Sequence, residues 1–291
     1  MVDIVFSLNR KIWLSLLVAM NSIEKNATTP ESVRFNILVP PGEESFFEEK
    51  VRSALPDLRA QWRVKTYMPP AYMQDYLEKR FKEKTEDRRN SRCIQFSRFF
   101  LREAFDDLDA IIYLDTDLIV LGDIAEFYAY TEQCNPQRYF GSVPHVYPCI
   151  FYFSNPFKVW NEIFKFQQTF NAGVWFTKLS LWNDETYERL NYYLDLDAQN
   201  NYKLYTLGDE PVFNLLFKDY VQADKNWNRC GYGSPPLATR FLASGEKFLQ
   251  QAKLIHWSGP YKPWSSPKIQ FADLWRSYVP PTLEGELANA K

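Results

Sequence analysis

Ile111-Ile112-Tyr113-Leu114-Asp115-Thr116-Asp117-Leu118-Ile119-Val120 sets two carboxylates inside a run too apolar to be surface. An ionised Asp buried without a partner costs several kcal/mol, so this pair calls for a cation. In an extended segment the first and third residues project to the same side. Asp115 and Asp117 would then share an oxygen-rich face suited to Mn²⁺ or Mg²⁺. The competing reading is a strand that ends in a turn, with Asp117 capping a neighbouring segment.

Outward from that stretch the chain alternates between strand and helix patterns. Val2 to Ser7 reads as a short buried strand, and the apolar run after Asn9-Arg10-Lys11 as a helix packed on it. Residues 34–39 form a second strand ended by Pro40-Pro41-Gly42, residues 45–55 a helix and residues 62–67 a third strand. Such alternation predicts an α/β fold with a mainly parallel, Rossmann-like sheet flanked by helices. Arg92 to Phe105 looks helical and Ala110 to Asp115 is the fourth strand, so the carboxylates fall at its carboxyl end, where open α/β sheets bind ligands. The charged segment 78–92 reads as a solvated helix or loop, or a mobile flap beside the site. Residues 126–170 show no clean period and yield only connections and a helix over 159–168. Further on come a strand at 171–177, helices at 186–196 and 210–217, and a last strand at 252–257. The reading gives one domain over 1–279, with halves of about 1–125 and 126–279, and a frayed tail over 280–291.

Composition removes several classes of function. A formal net charge of -2 with scattered Lys and Arg offers no footprint for nucleic acid. The longest apolar opening, residues 12–20, is far shorter than the roughly 20 residues that span a bilayer, and it lacks a small-residue cleavage site. A cytoplasmic protein without a transmembrane segment is therefore expected. Cys93, Cys134, Cys149 and Cys230 show no CxxC spacing and read as reduced and structural, which argues against thiolate zinc. Aromatics reach 17% of residues, more than the core demands, and flat faces suit sugar rings.

An isolated Asp-x-Asp is a weak signal, but three features strengthen this one. His256 is one of only two histidines and ends a buried strand, which makes it a candidate third ligand. Lys262 is held by Pro260, Pro263 and Trp264, and Gly259 permits close backbone approach. A cation, an ammonium and backbone amides together describe a pyrophosphate clamp rather than a redox centre.

The motifs Ile4-Val5-Phe6, Phe96-Ser97-Arg98-Phe99, Tyr113-Leu114-Asp115-Thr116-Asp117, Phe170-Asn171-Ala172-Gly173-Val174, Gly208-Asp209-Glu210-Pro211-Val212-Phe213-Asn214 and His256-Trp257-Ser258-Gly259-Pro260-Tyr261-Lys262-Pro263-Trp264 occur in that order. In this the chain resembles glycosyltransferase family 8, the family of glycogenin, bacterial lipopolysaccharide galactosyltransferases and plant galacturonosyltransferase-like proteins. The resemblance spans residues 4–264, and the closing His-x-x-Gly-x-x-Lys-Pro-Trp is its most specific part.

The resemblance implies a GT-A fold, a UDP-sugar donor and a glycan or other hydroxyl acceptor. It implies Mn²⁺ (or Mg²⁺) on Asp115, Asp117 and His256, phosphate contacts from Gly259 and Lys262, and retention of anomeric configuration. It also implies that Arg98, Asn171, Ala172 and Asp209 surround the donor sugar, that Ser7, Leu8, Asn9, Thr116 and Gly173 complete the donor pocket, and that Arg98, Asp209 and Glu210 serve catalysis. Two positions depart from the family pattern. Asn9 replaces a frequent Asp that accepts the uracil N3–H, a bond an Asn carbonyl can also accept. Glu210 replaces a frequent Gln, which puts a carboxylate where a covalent glycosyl-enzyme could form; the plainer role is a first-turn helix residue facing the dipole. The alternatives left standing are an inverting GT-A enzyme, a haloacid-dehalogenase-type phosphatase, a nucleotidyltransferase and a non-enzymatic carbohydrate-binding protein.

Overall fold

The computed structural model describes residues 1–166, 168–239, 242–266, 268–283 and 285. Its strands are β1 (Val2–Ser7), β2 (Val33–Val39), β3 (Gln61–Thr66), β4 (Ala110–Leu114), β5 (Leu118–Val120), β6 (Phe140–His145), β7 (Thr169–Lys178), β8 (Val221–Gln222) and β9 (Leu254–His256). Seven of them form one sheet in the order β3-β2-β1-β4-β7-β6-β8. β1 pairs in parallel with both β2 and β4, and β2 with β3. β7 then enters antiparallel between β4 and β6, while β8 runs parallel to β6 on the far edge.

The parallel half forms because its strands are apolar on both faces, so helices must cover both. Ile4, Val5 and Phe6 are fully buried, as are Ile37, Leu38 and Val39. Helix α1 (Trp13–Asn26) buries Leu16, Leu17, Val18, Ala19 and Met20 against them. It follows a turn whose start is fixed by the Asn9 side chain, which accepts from Lys11 N at 3.1 Å. It ends with Asn26 Nδ2 donating to Val120 O at 2.9 Å, which ties the helix to β5. Burial of a Leu- or Ile-sized side chain is worth about 1.5–3 kcal/mol, so this layer is the stable floor of the site.

The run 111–120 is two strands rather than one. β4 stops at Leu114, the chain turns through Asp115-Thr116-Asp117, and β5 leaves the large sheet to pair antiparallel with β9. Thr116 is pinned in the turn by Ser15, whose hydroxyl donates to it at 2.8 Å. Segment 78–92 is a largely exposed helical stretch with a short connection, as the solvated-helix reading expects. It belongs to helices α3 (Ala71–Phe81) and α4 (Glu86–Phe96), separated at Lys82 by a left-handed residue with φ 50°. There Arg80 is buried, 2.5 Å from Asp197 Oδ2 on the helix Asp184–Gln199.

Between 126 and 170 the sequence reading missed β6, because Gly141 and Pro144 interrupt its pattern; the strand tolerates Pro144 at a register shift against β7. The helix expected over 159–168 shrinks to the single turn Trp160–Ile163, and residue 167 lies outside the described residues. The tail is not frayed at its start: Pro281–Leu283 forms a 3-10 turn and Leu283 is buried, while most of 284–291 lies outside the described residues. All four cysteines are free. Among the described residues no helix is long and apolar enough to cross a membrane.

Candidate active site

The crossing from β4 to β5 is what assembles the site. In the two-stranded sheet Leu118 pairs with His256, so the histidine lies beside the residue that follows Asp117. Trp257 N donates to Asp117 O at 2.8 Å, and Asp115 N donates to Gly173 O at 2.7 Å, which fixes both ends of the turn to neighbouring strands. One ligand atom from each of Asp115, Asp117 and His256 lies within 4.8 Å of the others.

Several observations show that these residues fit a divalent cation. His256 Nδ1 is 3.2 Å from Asn228 Oδ1, which orients the ring, and its Nε2 stands 3.0 Å from Asp117 Oδ1. Two carboxylates and one imidazole form a set suited to Mn²⁺ or Mg²⁺. Gly173 leaves the room: a Cβ there would overlap the Asp115 carboxylate and come within 2.7 Å of His256 Cε1. No neighbour of Gly173 could yield without moving a candidate ligand.

Electrostatics set the two aspartates apart. Burial works to raise the Asp117 carboxyl, but the charges of His256 and Lys262, and hydrogen bonds from both, outweigh it and hold it below the usual carboxylate range. Lys262 Nζ pairs with Asp117 Oδ2 and also donates to Trp257 O at 3.0 Å. Asp115 goes the other way: burial raises it, Arg98 opposes, and the nearby Asp117 charge adds to the rise. The two differ because Asp117 is paired with both His256 and Lys262, whereas at Asp115 burial and the Asp117 charge outweigh Arg98.

Arg98 is the second hub. It is buried, reaching Asp115 Oδ1 at 3.0 Å, Asp209 Oδ2 at 3.1 Å and Ala172 O at 3.0 Å, with its guanidinium over the Tyr113 ring at 4.6 Å. Burial works against its charge, yet Asp209, Tyr113 and Asp115 hold it protonated. The sequence alone makes Arg98 a helix-surface ion pair; the fold turns it inward. Asp209 also accepts from Gln95 Nε2 at 2.8 Å.

Glu210 opens the helix Glu210–Leu216 but does not simply face its dipole. Its carboxylate accepts from Tyr152 OH at 2.9 Å, Asn171 Nδ2 at 2.8 Å and Ala172 N at 3.2 Å. Burial raises its pKa, and those donors only partly offset the rise. Asn171 is thereby fixed between Glu210 and Gly173 N, which donates to its Oδ1 at 3.1 Å.

Ser7, Leu8, Asn9, Arg98, Asp115, Thr116, Asp117 and Lys262 line one cleft of about 360 Å³, together with Lys11, Ser91, Gln95 and Trp264. Asn171, Ala172, Asp209, Glu210 and His256 join it through the contacts above. Asn9 is committed on both sides: Nδ2 donates to Ser91 Oγ at 2.5 Å while Oδ1 receives Lys11 N. Gly259 has a structural reason for being glycine. Its φ is +121°, and a Cβ would stand 2.5 Å from Gly233 O. Asn228, Ser91, Gln95 and Tyr152 escaped the sequence reading. Gln95, three residues before Arg98 and so on the same helix side, was the one with a usable signal.

The glycosyl transferase family 8 model matches residues 3–268. The chain belongs to this family. It is 27% identical over 215 residues to "Glycosyltransferase 8 domain-containing protein 1" of Danio rerio, a match covering 67% of this chain and 58% of that protein. It is 27% identical over 296 residues to "Probable galacturonosyltransferase-like 6" of Arabidopsis thaliana, covering 96% of this chain and 80% of that one. The chain thus spans little more than half of the zebrafish relative's length. Among solved structures, the galactosyltransferase LgtC in complex with donor and acceptor sugar analogues superposes with a TM-score of 0.69 at 19% identity, covering 99% of this chain and 100% of that one. The fold of this family member is GT-A: a mostly parallel sheet with the Asp115-Thr116-Asp117 turn at the carboxyl end of β4.

Proposed function

We propose that the protein is a metal-dependent glycosyltransferase that moves a sugar from a UDP-sugar to a hydroxyl of a glycan or glycoconjugate, with retention of configuration. The observation that carries the reading is the convergence of Asp115, Asp117 and His256 in one cleft with Lys262 on the outer carboxylate. The residues expected in the donor pocket come from both stretches, Ser7 to Asp117 and Asn171 to Lys262, so we read 1–279 as one domain whose donor site is shared between the two halves.

A divalent ion on Asp115, Asp117 and His256 would supply positive charge that neutralises a diphosphate. Lys262, already an ammonium beside Asp117, donates to phosphate oxygens as negative charge grows on the leaving group. Arg98 holds Asp115 and Asp209 in fixed positions, so the acidic groups around the sugar need not reorganise. In the retaining route the acceptor hydroxyl arrives on the face the diphosphate leaves, and a phosphate oxygen takes its proton. Glu210 favours this over a covalent intermediate, because three donors already occupy its carboxylate and blunt it as a nucleophile. Its role is then to fix Asn171 and the Ala172 amide.

The family allows galactose, glucose, xylose and galacturonic acid. A donor panel read as Mn²⁺-dependent UDP release tests the reading. Release that survives chelation, or phosphate release from a generic phosphoester in its place, would overturn it.

A further inference from the structure

Of the exposed large apolar side chains among the described residues, six cluster between Val146 and Phe164. Three form one continuous face. Phe157, Trp160 and Phe164 are 76%, 44% and 69% exposed, and their spacing of three and four places them on the same side of a helical turn. The Phe157 and Trp160 rings stack at 5.6 Å, and Phe164 meets Trp160 edge-on at 4.7 Å. Val159 on the opposite side is buried and Ile163 packs against the core, so the rings cannot turn inward without expelling both. Rings held outward by the fold itself mark a surface built to meet something.

Charge narrows the occupant. Lys158 and Lys165 flank the rings, Lys203 lies close by, its carbonyl accepting from Ser154, and the one carboxylate of the stretch, Glu162, is engaged by Lys165, Lys218 and Tyr193. The neighbourhood is cationic on a chain whose formal net charge is -2. Aromatic rings beside lysines match a membrane interface, where rings enter the headgroup layer and ammonium groups meet anionic lipid. A second copy of the chain fits worse, since three rings fall well short of the roughly 1,200 Å² that a stable interface buries.

We infer that the Phe157-Trp160-Phe164 face docks this protein reversibly onto an anionic lipid surface. The segment that carries the face also reaches the site a few residues earlier: Tyr152, which holds Glu210, packs on Tyr147 at 5.2 Å, and Tyr147 on the exposed Phe151 at 5.8 Å. On the transfer reading above, docking presents the acceptor side of the cleft to acceptors carried on lipid.

The test is sedimentation of the full chain with phosphatidylcholine vesicles, with and without roughly one quarter phosphatidylglycerol, at about 0.1 M and 0.5 M salt. Binding is expected only to the anionic vesicles, weakening at the higher salt. Serine at all three of Phe157, Trp160 and Phe164 is expected to reduce the partition coefficient at least tenfold with melting temperature unchanged. Lys158→Glu is expected to reduce it about fivefold or more. Equal partition of wild type and triple variant, no binding to either vesicle, or a dimer in light scattering that the triple variant dissolves would each overturn the inference. Partition is read without any donor sugar, so it can fail while UDP release succeeds, and the reverse.

Discussion

The turn 115–117 and the stretch 146–164 are built by opposite means. At the turn every side chain is fixed by strand register: Leu118 opposite His256 and Asp115 N on Gly173 O leave little choice of position. In the stretch 146–164 the backbone is a bend, two 3-10 turns and one helical turn, with aromatic rings left in solvent. Chemistry common to a family needs groups that do not move, whereas recognition of a particular acceptor or surface can be carried by loops that vary without cost to the sheet.

The contrast breaks most directly at the ligands. Asp117→Asn and His256→Ala are each expected to lower Mn²⁺-dependent UDP release by on the order of a thousandfold, with Mn²⁺ heats abolished in calorimetry. If either retains tight Mn²⁺ binding, the turn is not a metal site. One step out, Asn228→Ala frees the His256 ring and should weaken Mn²⁺ by about 10–100-fold while the fold persists. Gly173→Ala should act like a ligand variant, since its methyl falls on the Asp115 carboxylate; unchanged metal affinity would mean that the turn is softer than argued.

Glu210 gives a smaller effect with a sign. Burial raises its folded-state pKa above the unfolded value, so its contribution to stability is full below the unfolded pKa and is lost as pH rises through the folded one. Glu210→Gln should therefore melt about 2 °C or more above wild type at pH 8, and the gap should close near pH 4. Near-normal turnover of that variant excludes Glu210 as a covalent nucleophile. The smallest effect belongs to the stretch 146–164: Phe164→Ser should alter stability by less than about 0.5 kcal/mol, read by denaturant melting. A large loss would show that the ring supports the core.

Much of the β1-β4 half was legible because period and turn residues there agree with the final structure: Val2–Ser7, Val33–Val39 and Gln61–Thr66 all sit within a residue of where their patterns place them. β6 was not legible, because its Gly141 and Pro144 are local breakers that tertiary pairing overrides. The inward turn of Arg98 was equally hidden, since a helix-surface Arg and a buried one look alike until Asp115 and Asp209 arrive from elsewhere in the chain.

By itself the sequence determined the chemistry of the parts: paired aspartates after a buried strand, a histidine and a lysine in a rigid loop, and an order of motifs found in one family. These are local facts, carried by residue type and short spacing. Only the tertiary structure decided that Asp117 and His256 share one position in space, that Asn228 orients the imidazole, and that Glu210 is held by three donors instead of standing free. Contacts between residues from 28 to 139 positions apart depend on which strand pairs with which, and pairing is settled by the packing of the whole sheet.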